Sequence, residues 1–140
     1  MKVTTTWNGQ MAFTGKTPSG HEIIMDAAEK SGGNNTGARP TELLLQATAG
    51  CTGIDIVSIL TKMRLNIVSF EMEVEGLRAE EFPQRFTGIH IHYSLQGDLP
   101  EDKVVRAIKL SKDKYCSVSN SLNAEIAVSY TLNGAERKQL

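Results

Sequence analysis

An excess of charge of either sign is missing from this chain, and so is any basic block. The 15 Lys and Arg and 16 Asp and Glu leave a formal net charge of −1, with the two signs interspersed over 140 residues. That balance argues against nucleic acid or an anionic membrane as the main partner. Cysteine is scarce, with 2 in all. The opening Met1-Lys-Val-Thr-Thr-Thr-Trp7 reads as a strand and not as a signal peptide. Two thiols without a secretory signal point to a reducing cytoplasm, where a disulfide is catalytic or transient. The longest apolar stretch is broken by Gln46, Thr48, Thr52, Asp55 and Ser58. It therefore reads as a buried helix and not as a membrane span. No repeat, linker or low-complexity tract divides the sequence, so residues 1–140 are expected to form one domain with its own core.

The early residues read as strands. Val3, Thr5 and Trp7 alternate, Asn8-Gly9 is a two-residue hairpin signal, and Met11 to Thr14 returns. Pro18-Ser-Gly20 marks a second turn before His21-Glu-Ile-Ile-Met-Asp26. Ser31-Gly-Gly-Asn-Asn-Thr-Gly37 has the composition of a flexible loop. Pro40 suits the first turn of a helix, and Glu42 is favourable near its positive end. From Leu43 to Leu60 apolar residues cover more than one face, which predicts a helix enclosed on most sides. Two half-buried strands follow, one with Val68, Phe70, Met72 and Val74 inward. The other turns Ile89, Ile91, Tyr93 and Leu95 inward and His90, His92 and Ser94 outward. Pro100-Glu-Asp starts a helix, and Ile126, Val128, Tyr130 and Leu132 make a last strand. The order of elements gives an α+β fold.

The chemistry, if any, lies with Cys51 and Cys116. Ala47, Ala49, Gly50 and Gly53 surround Cys51, and glycine in a helix costs about 1 kcal/mol against alanine. Close packing of a helix or a ligand is the reading of those small residues. Burial normally makes a thiol inert, and Asp55, one turn on, would raise its pKa. The helix dipole fades within the first turn. Glu42 lies about 13 Å up the same helix at about 1.5 Å per residue. If Cys51 is reactive, a positive charge or a donor is therefore expected to reach it, and in an antiparallel pair of these helices the start of one would lie near the middle of the other. His90 and His92 share a strand face without further ligands at metal-site spacing, which reads as a solvated face.

Arg39-Pro-Thr-Glu-Leu-Leu-Leu45, Ala-Gly-Cys51-Thr-Gly-Ile-Asp55 and Lys114-Tyr-Cys-Ser-Val-Ser119 together resemble the OsmC/Ohr family over nearly the whole chain. The resemblance implies an OsmC-like α+β fold: antiparallel sheets around long central helices in an intertwined homodimer. It implies a cofactor-free, metal-free thiol peroxidase that reduces organic hydroperoxides, with Cys51 peroxidatic and Cys116 resolving, reset by an external dithiol. Better-known members add an N-terminal arginine and a glutamate directly after the proline. Here only Lys2 and Lys16 precede Arg39, and Thr41 follows Pro40. Arg39 and Glu42 are the candidates for that pair's place. Leu43, Leu44, Leu45 and Ile54 would form a wall suited to alkyl peroxides. The other readings are a binding protein for a small apolar ligand and a Cys51–Cys116 redox sensor on the same scaffold.

Overall fold

Runs of β-branched and aromatic residues at the start of the chain form three short strands. A computed structural model describes residues 1–140, which divide into a unit of residues 1–44 and a unit of residues 45–140. In the first unit β1 (Thr4–Trp7), β2 (Phe13–Lys16) and β3 (Glu22–Met25) pair antiparallel in that order. Trp7 pairs with Phe13, so residues 8–12 form the connection and the two-residue turn expected at Asn8-Gly9 is replaced by a wider one. Gly9 and Gln10 both take positive φ, 99° and 49°. The Asn8 N–H donates to Ala12 O at 2.9 Å, and the Trp7 indole N–H holds Gln10 O at 2.9 Å. Ile23 and Ile24 point to opposite faces of β3 and are 41% and 51% exposed, so both faces of this sheet are open.

The loop after β3 is built rather than loose, which corrects the flexible reading of Ser31–Gly37. Buried Asp26 accepts the backbone N–H groups of Ala27, Asn34 and Thr36 at 2.8, 3.1 and 3.1 Å, and the Thr36 hydroxyl at 2.8 Å. Close backbone approach explains two of the glycines: a Cβ on Gly33 would overlap the Ala27 carbonyl, and one on Gly37 would overlap Ile24. The local composition was read correctly, but the ordering comes from a carboxylate outside the loop.

Helix α1 spans Pro40–Lys62, and β4 (Ser69–Arg78), β5 (Phe86–Gln96), α2 (Glu101–Leu110), α3 (Ser117–Asn120), β6 (Glu125–Leu132) and β7 (Lys138–Gln139) follow. The second sheet has the order β4-β5-β6-β7. Pairing of β4 with β5 and of β6 with β7 is antiparallel, but β5 and β6 run parallel. The sheet is therefore mixed, against the expectation of antiparallel sheets. Residues 97–124 contain α2 and α3 and form a crossover, the connection that parallel strands need. The chain contributes one long helix, α1.

The core of the second unit gathers Ile56 and Leu60 from α1, Ile89, Ile91, Tyr93 and Leu95 from β5, Val104, Ala107 and Ile108 from α2, and Val128 and Tyr130 from β6. Thr48, Thr52 and Gly53 complete the buried stripe of α1. Its other side is open: Ile54 is 72% and Val57 42% exposed. Enclosure of α1 on most sides is thus not achieved within one chain. The helix is long and apolar enough to pass a composition test for a membrane span, but its buried stripe belongs to the core.

Candidate functional site

Irregular backbone after α2 places the second cysteine. Ser111–Tyr115 widen into one π-helical turn, closed by the Cys116 N–H on Ser111 O at 2.9 Å; such turns recur at functional sites. Cys116 then leaves the helical region at φ −67°, ψ 101° and caps α3. Its Sγ accepts the Ser119 N–H at 3.3 Å, and its carbonyl accepts the Ser119 hydroxyl at 3.2 Å and the Asn120 amide at 2.8 Å. Cys116 is fully buried, Cys51 on α1 is partly exposed, and both are free thiols.

The two thiols are neighbours, and each bears on the other's ionisation. Burial pushes the Cys51 thiol up. The Val118 N–H, the Cys116 S–H and the Ser117 hydroxyl outweigh it, even against the charge of Asp55, and hold Cys51 below its ordinary range. Burial pushes Cys116 up, and the neighbouring Cys51 adds to that, so the Ser119 donors do not bring it back. The pair thus divides its protons unequally, with the first ionisation at Cys51. These donors come from residues 116–118 of the same chain.

A buried polar seam lies under the cysteines. The Ser111 hydroxyl donates to Asp55 Oδ2 at 2.9 Å, which ties the aspartate facing Cys51 to the π turn. Thr52 donates back to the carbonyls of Thr48 and Ala49 at 3.0 and 3.1 Å. Tyr93, fully buried against Phe70 with ring centroids 6.2 Å apart, sets its hydroxyl beside Thr52 without a hydrogen bond of regular geometry. Burial pushes that phenol up to about 12.

Arg39 and Glu42 are occupied in the N-terminal unit. The Arg39 guanidinium donates to Gly37 O at 2.7 Å, Asn35 Oδ1 at 2.6 Å and Asp26 O at 3.3 Å. Glu42 Oε2 accepts the Arg39 backbone N–H at 2.9 Å, the reach-back half of a capping box. The groups acting on Cys51 are Val118, Cys116, Ser117 and Asp55.

His92 departs from the solvated-face reading. It is 8% exposed, with Nδ1 2.8 Å from Ser129 Oγ and Nε2 3.1 Å from Thr131 Oγ1. Arg137 donates to the same Ser129 hydroxyl at 3.0 Å and approaches a His90 ring nitrogen at 3.1 Å. Burial, followed by Arg137 and His90, keeps His92 below its ordinary value. No group of three or more His, Cys, Asp or Glu side chains is arranged to hold a metal.

On α1, an open groove of about 540 Å³ is lined by Gly50, Gly53, Ile54, Val57, Ser58, Phe70 and Met72; Cys51 is not in its lining. A Cβ on Gly53 would meet Met72 Cε at 2.7 Å, so this glycine admits a sheet side chain, while Gly50 faces open space. Of the predicted wall, Ile54 lines the groove and Leu45 packs on the core.

A family model for OsmC-like proteins matches residues 32–131. The chain belongs to the OsmC-like family. It is 37% identical over 135 residues to protein YhfA of Escherichia coli K12, covering 94% of this chain and 96% of that one. A hypothetical protein from Aquifex aeolicus VF5 shares 31% identity with a TM-score of 0.77, covering 94% of this chain and 96% of the other. An organic hydroperoxide resistance protein from Legionella pneumophila matches at 16% identity and a TM-score of 0.70, over 94% and 97% of the two chains. That last likeness is one of fold.

Sequence reasoning missed Val118 and Ser117 as donors to Cys51, Ser111 as the partner of Asp55, and Asp26 as the loop's organiser. A backbone N–H leaves no residue signature. The available signal was Cys116-Ser-Val-Ser119, a capping residue followed by polar first-turn residues.

Proposed function

We propose that this OsmC-like protein is a thiol-dependent peroxidase for organic hydroperoxides, with Cys51 peroxidatic and Cys116 resolving. The observation that carries the reading is the pairing of partly exposed Cys51, held below its ordinary range, with a neighbouring buried thiol, Cys116, that burial pushes up. A fold shared with an organic hydroperoxide resistance protein supports it. The Cys51 thiolate attacks one peroxide oxygen, the O–O bond breaks and an alkoxide leaves. Cys51 becomes a sulfenic acid, Cys116 sulfur displaces its oxygen as water, and a disulfide forms. An external dithiol returns both thiols by exchange. The apolar groove along Ile54, Val57, Phe70 and Met72 favours an alkyl substituent over hydrogen peroxide. Arg39 and Glu42 enter as supports of the loop and of the α1 start.

The working unit in this proposal is a homodimer in the cytoplasm. Each unit leaves large apolar side chains in solvent, Trp7 and Phe13 in the first and Ile54 and Val57 in the second, which a second copy would cover. The test is consumption of tert-butyl hydroperoxide in the presence of dithiothreitol. Wild-type protein turns over and prefers it to hydrogen peroxide, while Cys51→Ser does not. Turnover unchanged in Cys51→Ser removes the reading.

A further inference from the structure

Ser111 caps the C-terminal end of α2, and its polar groups each engage a different element. Its N–H bonds to Ala107 O and Ile108 O in α2. Its carbonyl accepts the Cys116 N–H at 2.9 Å. Its hydroxyl crosses 56 residues of sequence to Asp55 Oδ2 at 2.9 Å, with Thr52 O at 3.4 Å as the longer alternative. A serine in a helix ordinarily bonds back to a carbonyl of the preceding turn, so this direction is set by tertiary packing. A hydroxyl has one proton, and the charged carboxylate at the shorter distance takes it. Ser111 is fully buried. Asp55 stands one helical turn after Cys51 on the same face of α1. The main chain of Cys116 is therefore hung from α1, one turn past Cys51, through the Ser111 side chain.

We propose that Asp55 and Ser111 are positioning residues for the resolving step, a latch that holds the Cys116 segment in register with Cys51 on α1. The assignment rests on the reading above, in which Cys116 resolves an oxidised Cys51. In that step the Cys116 sulfur attacks the Cys51 sulfenic acid, and the S–O bond breaks as the S–S bond forms. The oxygen leaves as water, carrying the thiol proton and the sulfenic proton. No further electrons are needed, since the hydroperoxide has already oxidised Cys51. Intramolecular attack of this kind depends steeply on placement, and a displacement of about 1 Å costs up to about a hundredfold in rate. The charge of Asp55 has an opposing effect, because a carboxylate one turn from Cys51 disfavours the thiolate. Its presence beside the reacting sulfur is accounted for by what it holds, the hydroxyl of Ser111. A neutral acceptor at the same position would keep the latch without working against ionisation of Cys51.

The test treats the reduced protein with dithiodipyridine, because each thiopyridone released reports the reaction of one sulfur without any peroxide. Partly exposed Cys51 reacts in the first phase, and buried Cys116 expels the second thiopyridone as the Cys51–Cys116 disulfide closes. Wild type is compared with Ser111→Ala, Asp55→Ala and Asp55→Asn across a pH series, each checked for folding by circular dichroism. In Ser111→Ala and Asp55→Ala the second phase is expected to slow at least about tenfold, while the first phase keeps its alkaline plateau rate. Asp55→Asn still accepts the hydroxyl, so its second phase stays within about twofold of wild type and its first-phase profile moves to lower pH. A second phase of wild-type rate in Ser111→Ala, or one as slow in Asp55→Asn as in Asp55→Ala, overturns the latch. Wild type without a second phase overturns the pairing of the cysteines and the latch with it. Wild type that follows the expected pattern yet leaves tert-butyl hydroperoxide intact overturns the peroxidase reading and sustains the positioning role.

Discussion

Cys116, the neighbour of Cys51, accepts the Ser119 N–H on its sulfur at 3.3 Å. One short stretch, residues 116–119, thus sets the protonation of both cysteines. Alkylation with limiting iodoacetamide at neutral pH is expected to modify Cys51 first, leaving Cys116 until the protein is unfolded. Peptide mapping reads the order. Ser117→Ala removes one donor from the Cys51 sulfur, so its pH profile of alkylation should move upward, with the plateau rate at high pH unchanged. Equal reactivity of the two thiols in the folded protein would contradict this division.

Tyr93 is buried with a hydroxyl that has no regular hydrogen bond. Removing an unsatisfied buried hydroxyl while keeping the ring relieves a desolvation cost of about 1–3 kcal/mol. Tyr93→Phe should therefore be neutral or stabilising by about 1 kcal/mol in urea denaturation, where most core substitutions destabilise. A clear loss of stability would mean that the hydroxyl has a bonded partner.

Asp26 holds its loop in ionised form. The Thr36 N–H, then the Thr36 hydroxyl and the N–H groups of Asn34 and Ala27, bring its carboxyl down to about 2. An unfolded aspartate titrates near about 3.9. A depressed folded value stabilises above the unfolded one, and that support is lost as pH falls through about 2. Protection of the Ala27, Asn34 and Thr36 amides against hydrogen exchange, relative to the intrinsic rate at each pH, should stay high from neutral pH down to about 4 and fall below it. Asp26→Asn should show the fast exchange already at neutral pH.

Ile54 is 72% exposed on α1, and Gly50 beside it faces open space. An isolated chain tolerates Ile54→Glu within about 0.5 kcal/mol, as exposed substitutions do. If two copies meet along this groove, the same change places a charge in an apolar contact. Light scattering should then find wild-type dimers and variant monomers with unchanged circular dichroism. Wild-type monomers, or dimers in both, would remove α1 from the interface.

What the sequence made legible was local. Pro40, Glu42 and the apolar run through Leu60 announced α1, and the alternations at Phe70–Val74, Ile89–Leu95 and Ile126–Leu132 announced β4, β5 and β6. Strand direction was not legible, because an alternating pattern reads the same either way. The parallel pairing of β5 and β6 follows only from the crossover through α2. Nor did local signals find the order in residues 31–37, since Asp26 lies outside that stretch, or the burial of His92, which depends on Ser129, Thr131 and Arg137 from the far end of the chain. The two cysteines were found from their contexts, 65 residues apart (116 − 51). The donors to Cys51 were not, because the decisive one is a main-chain N–H.

The most direct measurement exposes reduced protein to one equivalent of tert-butyl hydroperoxide and determines its intact mass and peptide map. The expected product has lost two hydrogens and carries a Cys51–Cys116 disulfide, while Cys51→Ser is unchanged and Cys116→Ser gains oxygen at Cys51 instead. Recovery of both cysteines as thiols, with the peroxide untouched, would contradict the assignment.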